Sequence, residues 1–499
     1  MRVKKSMRIR LSDHFNYGRL LRFVTPPIVM MVFTSVYSVV DGLFVSNFVG
    51  KAALTAINLI FPLLLILGAV GLMLGTGGSA LISKMIGEGE SKKANRIFSM
   101  LVIVIIAAGA LFTLVGEFFV PNIARLLGAE GEVYHYCVLY GRILLGVMPF
   151  CMSQFVFQSF FVTAEKSKLG LILTVAAGVL NMVLDAVFVA AFGWGLVGAA
   201  AATAASQAFG GIFPLVYFAR RNDSLLRFSK PLFDFRALAK SAANGSSEFL
   251  SNISASVVTI LYNNQLMRLV GDDGVAAYGA IMYVAMIFLS VFMGFSVGVS
   301  PVVGYHYGAK DVSELKNLFG KSLVIVTAFG VVMAGLSEAL ASPLCKMFVG
   351  YDVDLYEMTV RGFRIYSFCF LLCGYSIFAS GFFTALNNGL ASAAISFLRT
   401  LVFQIAAVML LPLAMGLDGV WCASIVAEGV SLAVSAAFII GYRKRYGYMG
   451  KTIICADVDG KIAEGEASVD ETEYINTEED TVNWEWNATN EEEAEYKTS

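Results

Sequence analysis

The stretch GEGESKKANRIF at residues 87–98 recurs as GAKDVSELKNLF at residues 308–319, an offset of 221 residues. The same offset aligns residues on both sides of this stretch without a gap. The aligned pairs are Gly50 and Gly271, Ala56 and Ala277, Gly77 and Gly298, Ser79 and Ser300, Gly195 and Gly416, Gly198 and Gly419, and Ala202 and Ala423. A repeat of this kind predicts two halves built on one plan.

Both halves are too apolar for soluble domains. Hydrophobic residues make up 57% and charged residues 15% of the 499 residues, and the mean hydropathy is +0.72. A helix needs about 20 apolar residues to cross the hydrocarbon of a bilayer. We therefore predict an all-α polytopic membrane protein with twelve transmembrane helices in two six-helix bundles, at residues 23–48, 56–83, 97–121, 138–163, 169–192, 195–219, 246–270, 276–304, 320–343, 363–386, 391–415 and 419–442.

Six spans in each half bring both halves into the membrane from the same side. The repeat is therefore parallel, and its pseudo-twofold axis is expected to run along the membrane normal. With the N-terminus inside, 26 Lys and Arg residues lie on the inner side and seven on the outer side. Because basic residues are retained in the cytoplasm, we predict that both termini are cytoplasmic.

The domain organisation follows from the spans and from the charge pattern. The last 44 residues hold 15 acidic residues and two lysines without apolar periodicity, a composition typical of disorder. The predicted parts are a basic cytoplasmic N-terminus (1–22), a first lobe (23–219), a cytoplasmic linker (220–242), a second lobe (243–443) and an acidic disordered tail (444–499).

Several classes of function are disfavoured by the sequence. Seven scattered cysteines and three histidines argue against structural zinc. The triplet Gly320-Lys321-Ser322 has Leu315 where a phosphate-binding loop needs its first glycine. We expect a protein that is not an enzyme, needs no cofactor, binds no nucleic acid and is a monomer.

Ionisable side chains within membrane spans are costly and are functional candidates by default. The first lobe contains Asp41 in span 1 and Asp185 in span 5, with Asn181 one helical turn before Asp185 and Thr203 in span 6. Two carboxylates in one apolar pocket cannot both ionise cheaply, so one is expected to carry a proton. The same oxygens could instead coordinate Na⁺, or Asp41 could bond a neighbouring helix and Asp185 could face outer water.

The second lobe does not duplicate this chemistry. The positions offset by 221 from Asp41, Asn181 and Asp185 are Tyr262, Val402 and Ala406. That lobe instead offers three charged residues within its spans, and Arg399 could pair with either glutamate; these residues are Glu248, Arg399 and Glu428.

The first span begins with two consecutive prolines, Pro26 and Pro27. Proline removes a backbone donor and disturbs the preceding turn, so these residues could bend helix 1 near Asp41.

The sequence resembles the MATE (multidrug and toxic compound extrusion) transporter family over nearly all of residues 15–445. The segments that carry the resemblance are VYSVVDGLFVSNFVG (36–50), GTGGSALISKMIGEGE (75–90), FQSFFVTAEKSKLGL (157–171), NMVLDAVFV (181–189) and SPVVGYHYGAK (300–310). The resemblance implies two six-helix bundles that export cationic, amphipathic compounds in exchange for H⁺ or Na⁺. It also implies a cation site at Asp41, Asn181, Asp185 and Thr203, a bending helix 1, and a second-lobe acid at Glu248.

The resemblance leads us to expect an antiporter in the inner membrane of a prokaryote that works by alternating access. Span 10 lacks the carboxylate that some Na⁺-coupled members place there, which favours H⁺ at the first-lobe site. One alternative is a flippase for lipid-linked precursors. Such a protein should line its cleft with several basic side chains, whereas Arg399 is the one clear basic residue in the middle of a predicted span. A passive channel is a further alternative that would need no titratable lobe.

Overall fold

The computed structural model describes residues 9–49, 51–449, 453–456 and 462–465. Contacts divide the chain into two units, Met1–Tyr448 and Met449–Ser499. In the second unit, strands β1 (Ile453–Ala456) and β2 (Ile462–Gly465) pair in antiparallel fashion, with Ile453 opposite Gly465. The rest of the tail after residue 449, for which the sequence predicts disorder, lies outside the described residues.

In the described residues of the first unit, all regular secondary structure is helical. In the first half of the chain the helices are α1 (Tyr17–Phe48), α2 (Lys51–Gly87), α3 (Ser91–Leu126), α4 (Gly131–Gly146), α5 (Met148–Thr163), α6 (Ser167–Asp185) and α7 (Gly195–Ala219). In the second half they are α8 (Phe235–Leu269), α9 (Asp272–Gly308), α10 (Val312–Val349), α11 (Val353–Ser367), α12 (Phe370–Ala385), α13 (Gly389–Phe397), α14 (Phe403–Met415) and α15 (Leu417–Tyr446).

These helices correspond to the predicted spans. Among the described residues, nine helical segments are long and apolar enough to cross a membrane, and two bent pairs raise the number to eleven. The predicted seventh span is α8, which has 35 residues and is therefore about 50 Å long, but it is less apolar than the others. The predicted fold, a helical membrane protein with six spans in each of two bundles, is confirmed.

The fourth and fifth spans of each lobe are irregular, which the sequence analysis did not predict. The fourth spans are bent pairs, α4 with α5 at 59° and α11 with α12 at 50°. Pro149 is the second residue of α5 and has no backbone N–H with which to continue α4. The fifth spans contain π-helical turns, at Ala186–Ala191 after α6 and at Leu398–Val402 between α13 and α14. Turns of this kind occur often at functional sites.

The segment between the lobes is shorter than the predicted linker, because α8 begins within it. Asp234 caps α8 by accepting hydrogen bonds from the backbone N–H groups of Arg236 and Ala237. Residues 220–234 lie along α3, where the Arg227 N–H donates to Asn95 at 2.6 Å. We refer to the end of the lobes that carries this segment, together with the α2–α3 and α9–α10 turns, as the linker end.

The lobes contact each other with the pseudo-symmetry that the repeat predicts. A Cβ on Gly87 of α2 would lie 2.9 Å from the carbonyl carbon of Tyr305 in α9. Reciprocally, a Cβ on Gly308 of α9 would lie 2.9 Å from the carbonyl carbon of Lys84 in α2. Since each residue and its counterpart are 221 positions apart, the pseudo-twofold axis passes between these two glycines.

A second pair of contacts between the lobes is also related by the repeat. In this pair, the helices of one contact lie closer together than those of the other. Gly77 of α2 packs on Gly245 of α8, where a Cβ would lie 2.5 Å from the Gly245 nitrogen. The equivalent contact of Gly298 in α9 is with Val24 of α1, where a Cβ would lie 3.1 Å from the Val24 Cβ. Glycine on both helices brings α2 and α8 into backbone contact, whereas a side chain separates α1 from α9.

The hydrophobic cores also show where the two lobes meet. At the linker end a shared core joins residues of both lobes, including Phe23 and Val162 of the first lobe and Phe295 of the second. At the opposite end, a separate second-lobe core extends from Val258 to Ala427. The first lobe likewise has its own core, which at the opposite end includes Ile60, Val120 and Tyr140. The lobes are therefore packed together at the linker end, while their opposite halves have separate cores.

Candidate functional site

An acid pair lies inside the first lobe, where α1 packs against α6. Asp41 comes from α1, and Asp185 is the last residue of α6 before the π-helical turn. Asp185 is fully buried. The two carboxyl groups lie close enough to share a hydrogen bond when one of them carries a proton. The structure thus brings together the two acids that the sequence analysis singled out.

Without such a proton, three of the four oxygens of the acid pair have no hydrogen-bond donor in the described part of the chain. Asp41 Oδ1 and both carboxylate oxygens of Asp185 are buried without a hydrogen-bond partner among the described residues. Buried charged oxygens of this kind are strongly unfavourable unless a cation or a proton compensates for them. The pair therefore has the chemistry of a cation-binding site, for which H⁺ and Na⁺ are both suitable.

The two polar residues predicted beside the acids also lie in this region. The side-chain amide of Asn181 donates to Thr203 Oγ1 at 3.5 Å, which links α6 to α7. Among the residues that the structure describes, none donates to the buried carbonyl oxygen Oδ1 of Asn181, which in this respect is like the acid oxygens one turn away. Asn181 Oδ1 is thus a candidate neutral oxygen ligand beside the acid pair.

Close packing of α1 on α6 holds the two acids together. A Cβ on Gly178 of α6 would lie 2.5 Å from the ring of Phe33 and 2.9 Å from the ring of Tyr37, both on α1. Gly178 is one turn before Asn181, so its missing side chain sets the distance between the helices that carry the acids. On the other side of the site, Gly198 of α7 packs on the backbone of Phe188 within the π-helical turn.

Two tyrosines near the acid pair were not identified from the sequence. Tyr37 lies within electrostatic range of Asp41, and Tyr140 of α4 within range of both Asp41 and Asp185. Tyr37 precedes Asp41 by one helical turn, and this spacing could have indicated that it lies near the acid. Nothing in the sequence pattern connects Tyr140 with the acids, because the contact depends on how α4 packs.

The charged residues of the second lobe form a separate cluster. The Arg399 Nε donates to both carboxylate oxygens of Glu428, at 2.9 and 3.0 Å, and its terminal nitrogen also lies 2.9 Å from Glu428. Arg399 lies in the π-helical turn of its span, and Glu428 is buried in α15. Of the two possible partners in the sequence analysis, Glu428 is therefore the one that pairs with Arg399.

Glu248 on α8 remains outside this ion pair but within electrostatic range of Arg399. The cluster therefore contains two carboxylates and one guanidinium. With both carboxylates ionised, the negative charge exceeds the positive charge by one, and a proton, an ion or a substrate cation could balance it.

Tyr262, the counterpart of Asp41 in the repeat, is a neutral hydrogen-bonding residue in the second lobe. Its hydroxyl donates to Gln404 Oε1 at 3.0 Å and lies 3.1 Å from the hydroxyl of Ser424. Its ring stacks on Tyr278 at 4.8 Å. The sequence analysis did not identify these three partners, since none of them is charged and each comes from a different helix.

Pro26 and Pro27 lie within α1, which continues from Tyr17 to Phe48 as one helix. The prolines lie at the lobe interface, because a Cβ on Gly294 of α9 would be 2.9 Å from the carbonyl oxygen of Pro27. A bend in α1 at these residues would therefore change the contact between the lobes. That such a bend accompanies ion loading stays a prediction.

No group of three or more His, Cys, Asp or Glu side chains arranged for a metal ion occurs in the described part of the chain.

Two pseudo-symmetric six-helix lobes, joined at one end and carrying unsatisfied acids inside one lobe, define a secondary transporter. The chain belongs to the MatE family, whose model matches residues 26–187 and again residues 249–410. One match falls on each lobe, as the internal repeat predicts.

Known proteins agree with this assignment. The multidrug export protein MepA of Staphylococcus saprophyticus is 24% identical over 85% of this chain and 93% of its own length. A crystal structure of a MATE in complex with MaL6 has a TM-score of 0.82 at 21% identity, covering 87% of this chain and 97% of that one. An outward-facing MATE transporter of the MOP superfamily also has a TM-score of 0.82 at 21% identity, covering 89% and 99%. The solved structures establish the fold.

Proposed function

We propose that this chain is an antiporter that exports small amphipathic organic cations in exchange for H⁺ bound at the first-lobe acid pair. The proposal rests mainly on one observation: among the described residues, three buried carboxylate oxygens of Asp41 and Asp185 have no hydrogen-bond donor. One proton neutralises one carboxyl and supplies the hydrogen bond that the pair lacks. Na⁺ is the alternative coupling ion, since it would use the same oxygens together with Asn181 Oδ1.

Exchange requires that the coupling ion and the substrate favour different states of the transporter. Asp41 lies on α1, which also packs on α9 of the second lobe through Gly294 and Gly298. Loading of Asp41 can therefore change the position of α1 and, with it, the contact between the lobes. Export follows if the ion-loaded state releases the substrate outward.

The chemistry of the second lobe supports a cationic substrate. Because Glu428 is neutralised by Arg399, Glu248 is the carboxylate available to attract a positive charge. An aromatic face on the cleft would also suit an organic cation, but the Tyr262 ring is buried and stacked on Tyr278, so Tyr262 contributes its hydroxyl group rather than a free face. The exporter MepA, which this chain resembles over most of its length, is named for multidrug export.

The remaining assignments follow from the same proposal. We place the protein in the inner membrane as a monomer with both termini in the cytoplasm, acting without a cofactor or nucleic acid. The linker end then faces the cytoplasm, and the structure corresponds to an outward-facing state. A lipid-linked precursor flippase is disfavoured, because Arg399 is already neutralised by Glu428 and cannot serve freely as a diphosphate ligand.

Everted membrane vesicles test this function directly. Respiration acidifies their lumen, and uptake of an ethidium-type cation is followed while the pH gradient and the Na⁺ gradient are collapsed separately. We expect uptake to stop when the pH gradient is collapsed. Loss of uptake with the Na⁺ gradient alone would reassign the acid pair to sodium. Absence of uptake under every condition, with the protein present in the membrane, would contradict cation export.

A further inference from the structure

The segment before α1 crosses the seam between the lobes at the linker end. We refer to this segment, Ile9–Asn16, as the strap. Leu11 and Phe15 are buried in the shared core of both lobes. A turn closed by a hydrogen bond from the Arg10 N–H to Asp13 brings these two side chains inward. The strap is therefore part of the contact between the lobes.

The strap is fastened to the second lobe through the start of α10. Glu314 accepts a hydrogen bond from the Phe15 N–H at 2.8 Å and contacts His14 with its other oxygen. The Phe15 carbonyl accepts from the side chains of Asn317 at 2.9 Å and Lys321 at 2.6 Å. These four hydrogen bonds attach the C-terminal half of the strap to α10.

The strap is fastened to the first lobe through the turn between α5 and α6. The Leu11 N–H donates to Glu165 Oε1 at 2.7 Å. Glu165 has a φ of 58°, a left-handed conformation that a residue with a Cβ other than Asn or Asp rarely adopts. A backbone of this kind is maintained only where surrounding contacts hold it, and it is common at switch regions.

The equivalent turn of the second lobe is built in the same way. Asn387, between α12 and α13, also has a φ of 58°. Its side-chain amide donates across the interface to the carbonyl oxygen of Ala80 in α2, at 3.3 Å. Each lobe thus presents a left-handed turn residue whose side chain bonds across the seam, directly from Asn387 and through the strap from Glu165.

From these contacts we infer that Glu165 is a positioning residue that holds the linker end closed by fastening the strap to the first lobe. The inference rests on the transport cycle proposed above, in which the linker end must open to accept substrate from the cytoplasm. When the lobes separate there, the strap cannot keep its bonds to both Glu165 and Glu314. Loss of the Glu165 bond leaves the strap on α10 and favours the open state.

The test measures access to a buried position between the lobes in the purified full chain. Ser83 of α2 is fully buried, and its Cβ would lie 3.2 Å from a Cβ on Gly304 of α9. Its hydroxyl has no hydrogen-bond partner in the described ranges of the chain. Ser83→Cys therefore places a thiol in the closed seam without removing a bond. Its reaction rate with a membrane-impermeant maleimide reports opening, and the chain with its native cysteines gives the background.

Glu165→Asn is added to this reporter chain. Asparagine tolerates the left-handed turn, but it is shorter and uncharged, so the bond to Leu11 is lost without backbone strain. Loss of a hydrogen bond to a charged group shifts an equilibrium by about tenfold or more, so we expect the labelling rate to rise by at least about that factor. The matched control is Glu90→Asn, a carboxylate at the same end that pairs with Lys93 within its own lobe.

The inference is supported if Glu165→Asn labels at least about tenfold faster than the parent while Glu90→Asn labels at the parent rate. It is overturned if Glu165→Asn labels at the parent rate, or if the control accelerates equally. The measurement uses neither substrate nor an ion gradient. A chain that failed to export any cation could therefore still pass or fail this test, and the two proposals are judged separately.

Discussion

The closest contact between the lobes leads to a test of whether the linker end must close during transport. Gly245→Ala places a methyl carbon 2.7 Å from the carbonyl carbon of Met73 and even closer to its oxygen. Carbon atoms pack at about 3.5–4.0 Å, so α8 and α2 must move apart by about 1 Å. We expect the closed state to be weakened, because neither side of this contact is a flexible side chain.

Overpacking of a well-packed contact costs about 1–3 kcal/mol, which corresponds to a shift of about 5- to 150-fold in the equilibrium between closed and open linker ends. Alanine is also favoured over glycine within a helix by about 1 kcal/mol, but this gain applies to both states. The variant is therefore expected to fold normally and to lose most of its export.

The assay compares Gly245→Ala with Gly335→Ala in everted vesicles. Gly335 lies in α10, and a Cβ there would meet nothing within 4 Å. Both variants make the same chemical change, so a general effect of alanine on insertion or helix stability would appear in both. We expect cation uptake by Gly245→Ala to fall by about tenfold or more and uptake by Gly335→Ala to remain unchanged. Equal uptake by the two variants would refute the need for close contact between α2 and α8.

Two further predictions concern the packing inside the lobes. Glu428→Gln should lower stability by about 3–5 kcal/mol in a thermal unfolding assay, because the buried Arg399 guanidinium loses its charged partner. The double variant Arg399→Met with Glu428→Leu should regain most of this stability, and a double variant as unstable as the single one would contradict the explanation. Gly178→Ala should weaken ion coupling by pushing the rings of Phe33 and Tyr37, and α1 with them, away from α6. Export by Gly178→Ala with an unchanged dependence on the pH gradient would oppose this account of the acid pair.

The interface between the lobes was largely predictable from the internal repeat. Gly87 and Gly308 align at the offset of 221, and the structure places each against the helix that carries the other. A glycine retained in both halves of a parallel repeat is expected where two helices meet at the pseudo-twofold axis. The contact of Gly245 with α2 is closer than the equivalent contact of Val24 with α9. The sequence could not reveal this difference, because it depends on which helices pair in space.

The acid pair could be located from the sequence because charged residues in apolar spans stand out. Asp41 and Asp185 were singled out in this way, and Asn181 follows from the helical spacing. The partner of Arg399 could not be chosen from the sequence, since Glu248 and Glu428 lie in different helices whose packing sets the distances. The π-helical turns, one of them directly after Asp185, leave no signal in the apolar pattern, because one extra residue in a turn changes the periodicity little.

The strap was missed for a related reason. Its residues lie in the basic N-terminus, which was interpreted by its charge, and its partners Glu165 and Glu314 are far away along the chain. Local patterns carry little information about contacts of this kind. The alternation of Leu11 and Phe15 with polar residues is too short to predict that both side chains are buried.

The central claim is that the acid pair of the first lobe carries the coupling ion. Its most direct test is uptake of an ethidium-type cation by everted vesicles that contain Asp41→Asn. The control is Asp418→Asn, which makes the same change at a surface ion pair with Arg361. We predict that uptake driven by the ion gradient is abolished in Asp41→Asn and retained in Asp418→Asn, with both proteins folded in the membrane. Gradient-driven uptake by Asp41→Asn at the unmodified rate would contradict the claim.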